Sequence, residues 1–338
     1  TSLHAEYYAQ IIKRCALNRQ LISVAGQIAA VGYEGGPDVD RSIRHAEELL
    51  YQVKPESSYR DFVPVQRAMQ AYFEETVNSG QATHFKTGYV ALDKLLGGFH
   101  AGDLIVLAGR PSQGKSGLAL SIAHKLLIRE SPTIGIFSLE MSLRDVAHRL
   151  VSLASGVDAQ RVRDHSYSEL EEPHIHEAID SLASMPLYID DSPALRENEM
   201  LSKARRLKKE RGLGMVIIDY LQLMKTARDI DNKTQAVTEL SRAAKAMARE
   251  LDIPVLALSQ LNRRPEERVD HRPNLGDLRD SGAIEQDADV VLFIYREEMY
   301  NKSAPRGASE VIIAKQRNGP RGTIKMHFDE TTASFRSL

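Results

Sequence analysis

Residues 109–116 read Gly-Arg-Pro-Ser-Gln-Gly-Lys-Ser, a full match to the pattern G-x-x-x-x-G-K-[ST]. In this pattern the loop backbone points N–H groups at phosphates, the lysine supplies a positive charge, and the last hydroxyl can bind Mg²⁺. Residues 104–108 form an apolar run typical of a buried strand, and residues 118–127 form an apolar run of helical length. A helix that starts at the loop would face the phosphates with its N-terminus. The predicted nucleotide-binding residues are Gly109, Arg110, Pro111, Ser112, Gln113, Gly114, Lys115 and Ser116.

Composition limits the kinds of protein that the chain can be. With 338 residues it can bury a large core, and we expect more than one domain. The formal net charge of −2 gives no overall attraction to nucleic acid, so any polyanion site must be local. Cys15 is the only cysteine, which excludes an internal disulfide; we expect it to be a small buried residue on a helix. No apolar run approaches the roughly 18 residues of a membrane span, and no signal-peptide pattern is present, so we expect a cytoplasmic protein without a membrane partner.

The chain is expected to have three parts. Residues 1–58 are predicted to form a helical hairpin, because apolar residues recur at helical spacing on both sides of a turn cluster at 33–38. So small a hairpin should dock on something, either its own chain or a partner. Residues 59–80 are predicted to hold a linker helix beginning near Pro64, which either joins the wall of the next domain or packs on a neighbouring subunit. In residues 81–338 apolar strands alternate with helical stretches, which predicts an α/β fold with a mostly parallel sheet and helices on both faces.

Eight strands are predicted in this third part. Each is a short apolar run, and most are separated by segments long enough for a helix. They are Leu104–Ala108, Thr133–Ser138, Pro186–Asp190, Met215–Asp219, Pro254–Ser259, Val290–Tyr295, Val311–Lys315 and Gly322–Phe328.

Nucleotide hydrolysis also needs a metal carboxylate, a group that polarises water, a phosphate sensor and a positive charge. Asp219 ends an apolar strand and is predicted to hold Mg²⁺, with helix capping as the alternative. Glu140 could polarise the attacking water, and Gln260 could contact the γ-phosphate; either could instead be a solvated surface residue. Lys315 and Arg317 alternate, so both are expected on one side, as transition-state charges or as an ordinary charged strand edge.

The stretch at residues 277–289, Asp-Leu-Arg-Asp-Ser-Gly-Ala-Ile-Glu-Gln-Asp-Ala-Asp, combines a charge with a flexible turn. Arg279 offers a cation, and the backbone near Gly282 can approach a ligand closely, which suits contacts to phosphodiesters. A capped turn between a loop and a helix explains the same residues equally well.

Seven segments together resemble the replicative DNA helicases of the DnaB type, and the resemblance covers nearly the whole chain. They are TGYVALDKLLGGFHAGDLIVLAG, GRPSQGKS, SLEMS, VIIDYLQLM, ALSQLNRR, DLRDSGAIEQDADVVLFIYREEMY and KQRNGPRG. The resemblance implies a RecA-like phosphate-loop core that assembles as a ring homo-hexamer around single-stranded DNA. It implies an ATP-dependent DNA helicase that moves 5′ to 3′ with ATP or another NTP and Mg²⁺, and separates the strands of forked DNA in replication.

The resemblance also assigns roles by position. It implies that Lys115 and Ser116 contact the phosphates and the metal, that Glu140 is the catalytic acidic residue, and that Asp219 is the Mg²⁺ carboxylate. It implies that Gln260 couples nucleotide state to movement. Lys315 and Arg317 would act on the nucleotide of a neighbouring subunit, with Arg317 as the finger.

A second group of implied roles concerns partners. Arg279, Asp280 and Gly282 match the loop that holds DNA backbone phosphates. The hairpin resembles the end of the family's N-terminal domain, which is associated with primase docking and ring geometry, and a helicase loader is an expected partner. The helix near Pro64 resembles the linker helix that packs on the adjacent subunit.

The sequence departs from the family pattern at three of these positions. Gln113 stands where Met is usual and Ser116 where Thr is usual, and both changes are chemically tolerable; Asp280 stands where a longer Glu is usual, which is expected to shorten one loop contact. The chain begins Thr-Ser without Met, so we expect a processed or truncated start, and the family's globular N-terminal head is absent from this sequence. The small motif changes favour a phage-encoded member acting in a bacterial cell, with the host left open. The rival functions are a recombinase-like filament and a catalytically silent scaffold or loading factor.

Overall fold

This computed structural model describes residues 2–34, 39–51, 64–67, 69, 70, 73, 84–193, 195–221, 224 and 233–338. Contacts divide the chain into two compact units, Thr1–Gln81 and Ala82–Leu338. The finer division into hairpin, linker helix and motor domain, at residues 58 and 80, stays a prediction.

The first unit begins with the helices α1 (Ser2–Glu34) and α2 (Val39–Tyr51), which lie on either side of the predicted turn; residues 35–38 of that turn lie outside the described part. Val24 and Leu49 are buried where the helices pack together. Cys15 is exposed, so the prediction that it is buried was wrong. A pair of helices buries one narrow seam, and Cys15 lies off that seam.

Part of the predicted linker helix is also described. Residues 65–67, 69, 70 and 73 are helical and follow Pro64, a residue suited to the first turn of a helix. The remaining positions of this segment lie outside the described residues.

The second unit alternates helices and strands. Its helices are α3 (Val90–Leu96), α4 (Lys115–Arg129), α5 (Leu143–Ser155), α6 (Ala159–Arg163), α7 (Glu172–Ala183), α8 (Glu197–Arg211), α9 (Lys233–Leu251) and α10 (Gly282–Asp287). Its strands are β1 (His84–Phe85), β2 (Phe99–His100), β3 (Leu104–Gly109), β4 (Thr133–Ser138), β5 (Leu187–Asp190), β6 (Leu213–Asp219), β7 (Val255–Gln260), β8 (Val290–Tyr295), β9 (Ala308–Gln316), β10 (Gly322–Asp329) and β11 (Ser334–Ser337).

Nine of these strands form one sheet in the order β11-β10-β9-β8-β3-β7-β6-β4-β5. The strands from β8 to β5 are mutually parallel, and β9, β10 and β11 are antiparallel to their neighbours. All eight predicted strands are present as β3 to β10. The predicted α/β class with a mostly parallel sheet is therefore confirmed.

Successive side chains of the buried strands point to opposite faces of the sheet. Both faces are therefore apolar, and helices cover both of them. Ile105 and Leu107 belong to a core that includes the apolar face of α4. Leu104 and Val106 belong to a second core that includes α9. A fully buried side chain of this size contributes about 1.5–3 kcal/mol, so the two cores fix the strand positions firmly. In the described part of the chain, no helix has both the length and the apolar character needed to cross a membrane.

Strand register brings the predicted site residues to one edge of the sheet. Gly109 at the end of β3 pairs with Gln260 at the end of β7. Ser138 at the end of β4 pairs with Asp219 at the end of β6. These ends share one edge because the strands are parallel, and open parallel sheets bind their ligands at this edge.

Candidate active site

The nucleotide-binding loop joins β3 to α4, as the sequence predicted. Gly114 has a φ of 94°, a left-handed conformation that favours glycine, and α4 begins at the next residue. A Cβ on Gly114 would lie 2.9 Å from Phe328, and one on Gly117 would lie 2.2 Å from the carbonyl oxygen of Ala333. Glycine is required at both positions because the loop and the first turn of α4 pack closely on the β10–β11 hairpin.

Lys115 lies across this loop and is half-buried. Its Nζ donates to the carbonyl oxygens of Gly109, at 3.1 Å, and Arg110, at 3.2 Å. Burial lowers the pKa of Lys115, while the negative charges of Asp219 and Glu140 oppose that change. The ammonium therefore contacts the loop and lies near enough to both acidic residues for their charges to act on it.

Asp219 lies at the end of β6 and is buried. Burial raises the pKa of this carboxyl, a hydrogen bond with the Ser116 side chain lowers it, and Glu140 raises it further. Its Oδ1 is buried and has no hydrogen-bond partner among the described residues. A buried acceptor beside a hydroxyl is the pair of groups that would hold Mg²⁺ or its bound water. These residues therefore fit the predicted metal.

The number of protein ligands for such a metal is small. Among the described residues, no group of three or more His, Cys, Asp or Glu side chains is arranged to hold a metal ion by itself. This suits Mg²⁺ in nucleotide sites, where phosphates and water complete the coordination.

Glu140 and Gln260 lie at the same edge as Asp219. Glu140 follows the end of β4 by two residues and is exposed, and its charge affects both Lys115 and Asp219. Gln260 ends β7, is exposed, and pairs with Gly109. The structure thus brings together the phosphate loop, two carboxylates and one amide.

The predicted pair of cations lies elsewhere. Lys315 Nζ donates to the carbonyl oxygens of Glu285, at 2.6 Å, and Ala288, at 2.7 Å. Arg317 Nη2 donates to the carbonyl oxygen of Gln286 at 2.7 Å. Both cations therefore reach the C-terminal end of α10, and they lie on the same side, as their alternation predicted.

The cations and the phosphate loop of one chain are at opposite edges of the sheet. Gln316 pairs with Val290, and Val290 pairs with Ile105. Ile105 is near the start of β3, whereas the loop follows Gly109 at its end, a separation of roughly 13 Å along the strand. Arg317 follows Gln316, so it lies near the strand starts and away from its own phosphate loop.

The predicted DNA-binding residues lie between two anchored positions. Arg279 and Asp280 belong to a 3₁₀ segment, Leu275–Ser281, and Gly282 begins α10. Leu278 before them and Ile284 after them are buried. The side chains of residues 279–283 lie outside the described part, so DNA contact here stays a prediction.

One residue behind the loop was missed by the sequence reasoning. Arg296 directly follows the apolar strand β8 and is only 2% exposed. It contacts the loop at Ser112 and the acidic residues Glu298 and Glu330. An arginine at the end of a six-residue apolar strand is a signal for a buried, paired cation.

The predicted phosphate-binding loop, the candidate metal ligand Asp219 and the candidate catalytic residue Glu140 lie together at the carboxyl edge of a parallel sheet that helices cover on both faces. This fold and this site define the RecA-like class of phosphate-loop NTPases. Residues 85–337 match the DnaB-like helicase C terminal domain. The chain belongs to the family of DnaB-like replicative DNA helicases.

Individual relatives agree with this assignment. Replicative DNA helicase DnaB of Geobacillus stearothermophilus is 39% identical over 344 residues, covering 100% of this chain and 76% of that protein. Replicative DNA helicase DnaC of Bacillus subtilis (strain 168) is 40% identical over the same shares of the two chains.

Two solved structures extend the comparison. One, described as an ATPase domain, has a TM-score of 0.78 and 35% identity, covering 82% of this chain and 100% of that one. The other, a DnaB-like replicative helicase described with its interactions with primase, has a TM-score of 0.84 and 31% identity, covering 100% of this chain and 80% of that one.

Proposed function

We propose that the chain is an ATP-driven replicative DNA helicase that assembles as a homo-hexameric ring and moves 5′ to 3′ on single-stranded DNA. The observation that carries this proposal is the separation between the phosphate loop and Arg317. Because the two lie at opposite edges of one sheet, a complete site requires the loop of one subunit and the finger of another. Because each site spans two subunits, hydrolysis in it can change the position of one subunit relative to its neighbour, which a motor requires.

The residues act on ATP as follows. Backbone N–H groups of residues 109–116 and the Lys115 ammonium bind the β- and γ-phosphates. Glu140 accepts a proton as the oxygen of water attacks the γ-phosphorus, and the bond from that phosphorus to the β–γ bridging oxygen breaks. Arg317 of a neighbouring subunit stabilises the charge that develops on the transferred group.

Mg²⁺ would be held by Ser116 and Asp219 and would neutralise negative charge on the phosphates when bound. The buried, unpartnered Oδ1 of Asp219 supports this assignment. Gln260 lies at the same edge of the sheet, and we expect it to contact the γ-phosphate. The other NTPs are candidate substrates beside ATP.

DNA and protein partners extend the proposal. Arg279, Asp280 and Gly282 are proposed to contact backbone phosphates, so binding tolerates any base sequence. Primase is a proposed partner, since a relative of known structure is described with primase. A helicase loader is proposed on the family resemblance alone. A bacterial cytoplasm, with a phage origin left open, is the proposed location.

The test is strand displacement from a forked duplex with ATP and Mg²⁺, with Lys115→Ala as the control. Displacement that depends on Lys115 and on a 5′ single-stranded tail is expected. DNA-stimulated hydrolysis by closed rings without displacement would reject the helicase function, and open filaments in electron micrographs would favour a recombinase-like protein. Absence of any DNA-stimulated phosphate release would favour a scaffold or loading factor.

A further inference from the structure

Arg296 makes four polar contacts from a buried position beside the phosphate loop. Its Nη1 donates to the carbonyl oxygen of Ser112 at 3.2 Å. Its Nε donates to Glu298 Oε1 at 2.8 Å, and its Nη2 donates to the same atom at 2.5 Å and to Glu330 Oε1 at 2.7 Å. The guanidinium carbon also lies 4.0 Å from the centre of the Phe328 ring. The guanidinium therefore joins the loop to the β10–β11 hairpin.

The contact with Ser112 fixes one peptide group of the loop. Ser112 has a φ of 64°, a left-handed conformation that costs energy in a residue other than glycine. The oxygen and N–H of a trans peptide point in opposite directions. With its oxygen held by Arg296, the Ser112–Gln113 peptide directs its N–H to the carbonyl oxygen of Arg110, at 3.3 Å. This peptide is thus held at both ends.

The same guanidinium also supports the turn into α4. A Cβ on Gly114 would lie 2.9 Å from Phe328, the ring that Arg296 covers. The loop therefore rests on Phe328 from one direction and is held by Arg296 from another. Lysine could not replace these contacts, because it is a point charge without the planar fork that reaches three partners at once.

We propose that Arg296 is a positioning residue for nucleotide binding, which keeps the loop, through the Ser112–Gln113 peptide, in the conformation that binds the triphosphate. Arg296 acts through Ser112 and does not itself touch the nucleotide. This inference rests on the proposed function only in requiring that ATP binds at residues 109–116.

The test is Arg296→Lys in the full chain, with equilibrium binding of a fluorescent ATP analogue in the presence of Mg²⁺ and steady-state hydrolysis of ATP. The dissociation constant and KM should rise about five- to tenfold, the effect of roughly one lost hydrogen bond. The kcat should stay within about twofold, since the contact supports the ground state and the transition state alike. Arg336→Lys, at an exposed arginine of the β10–β11 hairpin that pairs with Asp329, is the matched control and should bind the analogue normally.

A second variant separates positioning from general stability. Glycine adopts the left-handed conformation without strain, so Ser112→Gly should restore part of the affinity that Arg296→Lys loses. The inference would be overturned if Arg296→Lys bound the analogue with unchanged affinity. It would also be overturned if Arg296→Lys lost as much affinity in the Ser112→Gly background as it does alone. If the lysine variant does not fold, the pair Arg296→Gln with Glu298→Gln, which removes both buried charges, carries the same expectations.

The same binding assay tests the underlying nucleotide site. Wild-type protein should bind the analogue, and Lys115→Ala should not. If the wild-type protein does not bind the analogue, or if Lys115→Ala does bind it, the proposed site itself is rejected. If both behave as expected and Arg296→Lys binds as tightly as the wild-type protein, only the role of Arg296 is rejected.

Discussion

Arg317 Nη1 lies 3.3 Å from Asp289 Oδ1, at the edge of the sheet where the parallel strands begin. Asp289 Oδ2 is held in turn by the Leu104 N–H, at 2.8 Å, and by Lys245. The exposed guanidinium is thus fixed to the start of β3 by a buried carboxylate. A transition-state charge needs such a fixed position, because its contribution depends on preorganisation.

Arg317→Ala should lower ATP turnover by about 10³-fold or more, the contribution of an arginine finger. Because the proposed site is shared, mixing this variant with Lys115→Ala should restore part of the activity. In a mixed ring, the intact loop of one variant meets the intact finger of the other. The measurement is phosphate release from mixtures whose subunit exchange has been verified; no recovery in verified mixtures would contradict the shared site.

Asp289→Asn should lower turnover about tenfold while KM stays unchanged, because the finger remains but is held less firmly. In an Arg317→Ala background the same change should have no further effect on turnover. Glu250→Gln is the matched control, since Glu250 also pairs with an arginine, Arg205, away from the proposed site. Additive losses in the double variant would argue that Asp289 acts on something other than the finger.

Glu140→Gln should bind ATP normally and lose about 10²–10⁴-fold in turnover, the usual contribution of a group that accepts a proton in the transition state. Binding of a fluorescent ATP analogue and phosphate release measure the two quantities. Glu172→Gln, an exposed glutamate of α7, provides the control. Normal turnover in Glu140→Gln would remove Glu140 from this role.

Asp219→Asn should abolish Mg²⁺-dependent turnover yet raise the Tm of the nucleotide-free protein at neutral pH. Burial raises the pKa of Asp219, so the folded state binds a proton more readily than the unfolded state, and the ionised form costs stability. The stabilising contribution of protonation is fully present below the unfolded pKa and is lost as pH rises through the folded pKa. The gain in Tm should therefore shrink as pH falls, and thermal melts without Mg²⁺ across a pH series measure it.

Arg279→Ala should weaken binding of single-stranded DNA equally for different base sequences. The slope of log affinity against log salt should fall by about 0.7, the value for one phosphate contact on a single strand. Fluorescence anisotropy with two unrelated oligonucleotides measures this, and Lys209→Ala on α8 is a charge-matched control. An unchanged salt slope would place the DNA contact elsewhere.

Much of the core could be predicted because buried parallel strands are continuous apolar runs. Thr133–Ser138 and Val290–Tyr295 have the bounds that the sequence indicated. Ser334–Ser337 was missed because its central Phe335 and Arg336 stand between serines, and it forms a strand only by pairing with β10. The spatial order of the strands depends on long-range pairing, which no local pattern contains.

The residues of the candidate site also divide into those that the sequence predicted and those that it did not. Lys115, Asp219 and Gln260 could be predicted because each lies at a strand end or in a recognisable loop. The position of Arg296 after an apolar strand indicates a buried cation, but its partners could not be predicted, because Ser112, Glu298 and Glu330 are distant in sequence from one another. The exposed position of Cys15 depended on which face of α1 packs on α2, and the weak apolar pattern of α1 does not define that face.

The phosphate loop and the proposed finger, Arg317, lie at opposite edges of one sheet, so the subunit has two unlike contact surfaces. Neighbours that complete each other's sites must then join head to tail, and such contacts either close on themselves or continue as a helix of subunits. A two-fold dimer would instead need the loop and the finger within the one patch that its two copies share. An assembly that remains open therefore ends in one subunit whose loop has no finger opposite it. A closed ring has one more complete site than an open assembly with the same number of subunits.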